Sequence, residues 1–248
     1  MDKLIDFVPY VSIPALALVV LGAVAGLARW SVHNSTINTR SARNIYVLVT
    51  AWAVWGLASA ALAISGAYTS QTFYDLLPGL WIPLVPVLIF TAYFATSSSF
   101  RDTLSNVVKR TPLHWLVYFQ ALRISAVGTA FETARGTFPE SFELFVGVPD
   151  LLFGLSALYM GRRVQQGPIG GRTVAVWSLV GAVLIVPSAP VVAQMGLPGP
   201  LMVFATEPTA AALFVYPMVL APTLIVPIFV LINLLTAQRL LEKSKGVQ

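Results

Sequence analysis

Arg123 and Asp150 stand out because the stretches around them are almost wholly apolar. A charge at the centre of a bilayer costs at least ~2.5–3.5 kcal/mol on insertion scales, so each needs a partner, and such a residue is by default a functional candidate. Opposite charges supply that partner to one another. Gln120, three residues before Arg123, shares its helical face and offers an amide to the same network. Pro149, directly before Asp150, removes a helical N–H and frees a carbonyl near Phe145. The chemistry within reach of this trio is recognition of a small polar or lipidic ligand, or handling of a proton. An ion pair that only pins two helices together is the structural alternative.

Other chemistries are excluded by inventory. The chain has no Cys, which removes thiolate metal sites, iron–sulfur ligation and thiol catalysis. Its two His residues, His33 and His114, lie in a loop and at a helix end, so no bis-histidine haem fits inside the bundle. No Lys falls in an apolar run, which excludes a retinal Schiff base, and glycine-rich phosphate loops and HExxH are absent. Without a nucleophile–base or metal constellation the balance is against an enzyme. The sequence names no cofactor. Glu132, Glu140 and Glu143 read as solvated loop carboxylates, with cation binding at the outer face as the alternative.

The elements that must position Arg123 and Asp150 follow from composition. Of 248 residues, 57% are hydrophobic and 10% charged, with mean hydropathy +0.79. That excludes a cytosolic enzyme, a nucleic-acid-binding domain and a disulfide-stapled module. The apolar runs predict an all-α integral membrane protein, a single polytopic membrane domain of seven helices at about 8–28, 45–68, 76–96, 113–133, 142–161, 173–195 and 209–236. The acidic flank of the first run marks it as a retained helix and not a signal peptide. Arg123 lies about ten residues along the fourth run and Asp150 about nine along the fifth, which returns, so the two reach similar depth. On the fifth run Gly147, Asp150, Gly154, Ala157 and Gly161 form one small-residue face suited to close packing. The segment 97–111, with Phe100, Leu104, Val107 and Val108 at helical spacing, reads as an amphipathic piece in the inner interface or as a polar loop.

Orientation follows from the basic residues, since Lys and Arg in short loops stay cytoplasmic. Arg29, Arg40 and Arg43, then Arg101, Lys109 and Arg110, then Arg162, Arg163 and Arg172, then Arg239, Lys243 and Lys245 fall on one side, with Lys3 and Arg135 opposite. This predicts the N-terminus outside and the C-terminus cytoplasmic. Asp2, Asp6, Asp75 and Glu207 fall at or beyond the outer boundary, so the net charge of +5 reports topology and not nucleic-acid binding. A 3+1+3 arrangement is geometrically allowed, because spans one to three and five to seven run in the same directions. Pro217, Pro222 and Pro227 in the last span leave the carbonyls of Leu213, Met218 and Thr223 in need of donors.

From about Phe100 to Leu241 the chain resembles a family of uncharacterised bacterial multi-pass membrane proteins. The resemblance rests on Gln120-x-x-Arg123, on Gly136-x-Phe138-Pro139 followed by Phe142, on Gly147-x-x-Asp150, and on a Pro-rich last helix from Tyr216 to Pro227. Two positions depart from the family pattern: Pro149, where relatives carry Gly, and Asn233, where they carry His near the end of the last helix. The resemblance implies the cytoplasmic (inner) membrane of a bacterium and places Gln120, Arg123 and Asp150 in recurring motifs, but implies no activity. The function expected is binding, extending to transport, of a small polar or lipidic ligand at a mid-membrane Arg/Asp site. The alternative is a non-catalytic scaffold or accessory subunit of a larger membrane complex. The partners expected are the lipid bilayer and, through faces such as Gly22-x-x-x-Gly26, a membrane protein or a second copy.

Overall fold

The computed structural model describes residues 2–167 and 169–245, with side chains placed over 8–167 and 169–242. The side chains of Asp2, Lys3, Asp6, Lys243 and Lys245, used above for orientation, lie outside the described residues. Among those described, every regular element is helical. The principal ones are α1 (Asp2–His33), α2 (Thr39–Ile64), α3 (Pro78–Thr96), α4 (Ser98–Arg110), α5 (113–134), α6 (Glu140–Gln166), α7 (Gly171–Met195) and α8 (Ala221–Glu242). Six of them, α1 from Val8, α2, α3, α6, α7 and α8, are long and apolar enough to cross a membrane. Large apolar side chains such as Leu18, Leu57, Leu88, Leu152 and Val183 point outward, as a lipid-facing surface requires. The molecule is an all-helical, multi-pass membrane protein.

Besides a 3-10 turn in α3 (Ile82–Leu84) and a π-turn in α6 (Glu143–Gly147), three of the expected spans depart from a plain helix. In α5, the stretch Gln120–Ala126 is wound as a 3-10 helix between the α-helical pieces Leu113–Phe119 and Val127–Ala134. In α7, helix is interrupted between Val183 and Ser188, because Pro187 has no N–H and Pro190 follows three residues on. The last span was expected to run as one helix from 209, but only a 3-10 turn (Ala210–Phe214) precedes the continuous helix. That helix starts with a π-turn at Ala221–Ile225 around Pro222 and proceeds from Val226. The carbonyl that Pro227 frees at Thr223 accepts from the Trp55 indole N–H at 2.8 Å, so a neighbouring helix supplies the missing donor.

The segment 97–111 is the helix α4. Ser97 caps it by accepting from Phe100 N–H at 3.1 Å. Its apolar face is buried, with the Phe100 ring stacked on Tyr93 at 4.3 Å between centroids. Arg239 closes its far end, donating to the carbonyls of Val108 at 2.8 Å and Thr111 at 2.6 Å.

Contacts sort the connections into two ends. At one, Trp30 meets Trp115 at 5.1 Å, Asn44 donates to Ser99 at 2.9 Å, and Tyr118 donates to Gln165 at 3.0 Å. At the other, Tyr68, Phe73 and Phe214 form a ring cluster, and Gly79 N–H donates to the Gln194 side chain at 3.0 Å. The segment α5 starts among the first set, at Trp115, and its Val127–Phe131 portion lies opposite Val8–Ser12 of α1.

Candidate functional site

The 3-10 winding of α5 matters for the site because side chains three apart eclipse in that geometry. Gln120 and Arg123 therefore stack on one side, and both are fully buried. The backbone of this segment lies directly on Gly154 of α6, where a Cβ would come 2.7 Å from Ile124 N and 2.9 Å from Arg123 C. Only glycine permits that approach. The rest of the small-residue face is used in the same way: the Glu143 carboxyl covers Gly147, the Tyr118 ring covers Gly161, and Ala157 is fully buried.

Asp150 is placed by a π-turn. The helix α6 widens at Glu143–Gly147 immediately before Pro149, with Val148 N–H reaching back to Glu143 O. Asp150 then accepts a hydrogen bond and ion pair from Arg123 Nε. The arginine is 0% exposed and the aspartate 13%. Arg123 Nη1 donates to Gly181 O at 3.1 Å. That carbonyl is available because α7 breaks just beyond it: Ile185 N–H turns to Ala182 O and leaves Gly181 O without its usual helical donor. The Phe153 ring lies under the guanidinium at 4.5 Å, adding a cation–π contact worth about 0.5–2 kcal/mol. Arg123 thus ties α5, α6 and α7 together.

Of the three expected site residues, Arg123 and Asp150 are brought together and Gln120 is not. Its amide Nε2 donates instead to Phe229 O of α8 at 3.4 Å, and its Oε1 has no hydrogen-bond partner. Two neighbours are absent from the sequence reading and a third is placed wrongly by it. Phe153 follows Asp150 by three residues, so helical spacing alone could have found it. The Gly181 carbonyl depends on the α7 break and carries no local signal. Glu143 corrects the reading of a solvated loop carboxylate: Glu140 is exposed and Glu132 half-buried, but Glu143 is 5% exposed inside α6.

Asp150 also forms part of the wall of a cavity of about 610 Å³. The cavity lies between residues 8–16 of α1, residues 83–87 of α3, the nearby parts of α5, α6, α7 and α8, and the segment that leads into α8. Its described lining is apolar except for Ser12, Ser125, Thr129, Glu132 and Asp150. Arg123 does not line it and stands behind Asp150. This volume falls within the ~300–1,000 Å³ usual for small-molecule sites, and an apolar enclosure with few polar groups is their usual character.

Residues 92–241 match the family described as Domain of unknown function (DUF8737). The chain belongs to the DUF8737 family. The match runs from the end of α3 to the end of α8 and so includes Gln120, Arg123, Glu143, Asp150 and Gly181. No curated protein and no solved structure matches the chain.

Proposed function

We propose that this DUF8737 protein is a single-domain, seven-crossing protein of a bacterial cytoplasmic membrane, N-terminus outside, that binds a small lipidic ligand beside Arg123 and Asp150. The seventh crossing is α5, and its support is the position of its two ends: Trp115 against Trp30, and Val127–Phe131 opposite Val8–Ser12. The orientation rests on the basic residues gathered at the end that holds α4. Cysteines introduced at Ser70 and Thr206, both exposed, are expected to react with an impermeant maleimide on intact cells. Those at Ser35 and Gln166 are expected to react only after permeabilisation, and the reverse pattern would invert the topology.

The observation that carries the ligand-binding reading is the cavity. An apolar space of about 610 Å³ with one ion-paired carboxylate in its wall suits a molecule with a hydrocarbon body and a polar head. In this reading Arg123 holds Asp150 charged and in place, and Gln120 anchors the same 3-10 segment to α8. A scaffold needs no such space. Photolabelling with an alkyl probe that carries a diazirine tests the assignment, with adducts expected on cavity-lining residues.

A role as accessory subunit or self-associating protein has one observation in its favour. Gly22 and Gly26 of α1 have nothing within 4 Å of their Cβ positions, so this small-residue face is unused within the chain.

A further inference from the structure

The charges around the cavity bear on the charge of the ligand. Two carboxyl groups line it, and a third, Glu143, stands outside the lining and packs against the wall residue Gly147. Asp150 is matched by Arg123, and Glu132 by Arg135 at 3.5 Å. Glu143 is 5% exposed, and neither of its oxygens has a hydrogen-bond partner. Steps of four and three residues carry Glu143, Gly147 and Asp150 along one face of α6. The Glu143 carboxyl lies over Gly147, at the place a Cβ would occupy, and Gly147 is itself part of the cavity wall. Glycine there puts no side chain of its own between the carboxyl and the cavity.

The groups facing Glu143 do not neutralise it. On α5, Thr129, which also lines the cavity, has its hydroxyl 2.8 Å from Ala126 O and within reach of Glu143, but a neutral hydroxyl with one proton cannot balance a carboxylate. Arg123 gives Nε to Asp150 and Nη1 to Gly181 O, and its buried Nη2 makes no hydrogen bond to Glu143 or to any other described group. On α6 itself the flanking ionisable groups are Glu140, three residues before, and Asp150, seven after, both like charges. Among the described residues no Lys or Arg stands within ion-pair distance of Glu143. Among the described residues, the carboxyl groups in and behind the wall therefore outnumber the cations paired with them by one. A buried carboxyl without a cation takes up a proton instead, so Glu143 carries a charge only when a cation arrives with the ligand.

We propose that the ligand is an amphipathic cation: an ammonium or amidinium head lodged against Glu143 and Asp150, with an alkyl or ring body in the apolar part of the cavity. The proposal rests on the reading of the cavity as a ligand site. An anionic head would meet two carboxylates, and a neutral one would leave Glu143 unmatched. Glu143 sets the sign of the ligand, and Arg123 keeps Asp150 from doubling the charge.

The test is binding of radiolabelled dodecyltrimethylammonium to the full chain in phosphatidylcholine nanodiscs, with empty nanodiscs subtracted and with dodecanol and dodecyl phosphate as competitors. The cation is expected to bind about tenfold or more tightly than dodecanol, with dodecyl phosphate weakest. Glu143→Gln is expected to remove that preference while leaving dodecanol binding intact, and Glu143→Asp to retain it. Unfolding temperatures of both variants identify any that fail to fold. Equal affinity for cation and alcohol, or a preference that survives Glu143→Gln in a folded protein, would overturn the charge assignment and leave Glu143 as a buried neutral acid. Binding of none of the three compounds by the wild type would instead overturn the ligand-site reading itself.

Discussion

Asp150→Asn is expected to lower stability by up to roughly 3–5 kcal/mol, the loss seen when removal of one partner leaves the other charge buried and unpaired. It leaves Arg123 as a fully buried cation, and an arginine cannot shed its charge. The Gly181 carbonyl and the Phe153 ring remain to it, and neither carries a compensating charge. Arg123→Gln is expected to cost less. The carboxylate it leaves behind borders the cavity, is 13% exposed, and can take up a proton. The double variant is expected to recover part of the larger loss, since two neutral amides in the same place need only hydrogen bonds. Unfolding temperatures of the four proteins in one detergent measure the coupling directly. Strictly additive losses would mean that the two residues are independent.

Gly154 is the position where the smallest change should do most damage. A methyl group there meets Ile124 N and Arg123 C, both backbone atoms, so no rotation of a side chain relieves the overlap. α5 and α6 must separate, and the ion pair between them opens. Gly154→Ala is expected to cost about 1–3 kcal/mol from overpacking alone, and Gly154→Val more, with loss of the Arg123 contacts added. Gly26→Ala serves as the contrast. It faces open space, and alanine favours a helix over glycine by about 1 kcal/mol in a soluble helix interior, so its unfolding temperature should hold or rise. Equal effects at the two glycines would contradict the packing described here.

The parts of this architecture that were legible in the sequence are those governed by helical period and by proline. The small-residue face of α6 was visible from steps of three and four residues, and the need for a donor at Thr223 followed from Pro227 alone. The similar depth of Arg123 and Asp150 came from counting along two antiparallel runs. Three features were not legible. Nothing local distinguishes Gln120–Ala126 from ordinary helix, since its 3-10 winding is coupled to the contact with Gly154, thirty residues away. Glu143 reads as a solvated carboxylate from sequence because a fifth span starting at 142 puts it at the outer boundary of that span. The helix begins at Glu140, which places Glu143 inside the bundle. The cavity arises from how the interrupted α7 and the late-starting α8 pack against α1 and α5. The prolines show where helices break, but not where the resulting space lies.

Photolabelling tests the central claim, a lipidic ligand held in the cavity beside Asp150, most directly. The protein in nanodiscs is irradiated with a diazirine-bearing alkyl amine at low concentration, and the adducts are located by mass spectrometry. The expected adducts fall on Ile13, Phe142, Met218 and Ile225, which line the cavity. They should disappear in Ala189→Phe, where a ring fills the space that Ala189 borders, while that protein keeps its fold. Adducts confined to outward-facing residues such as Leu18, Leu57, Leu152 and Val183, unchanged in Ala189→Phe, would show that the probe meets only the lipid-facing surface and would contradict the account.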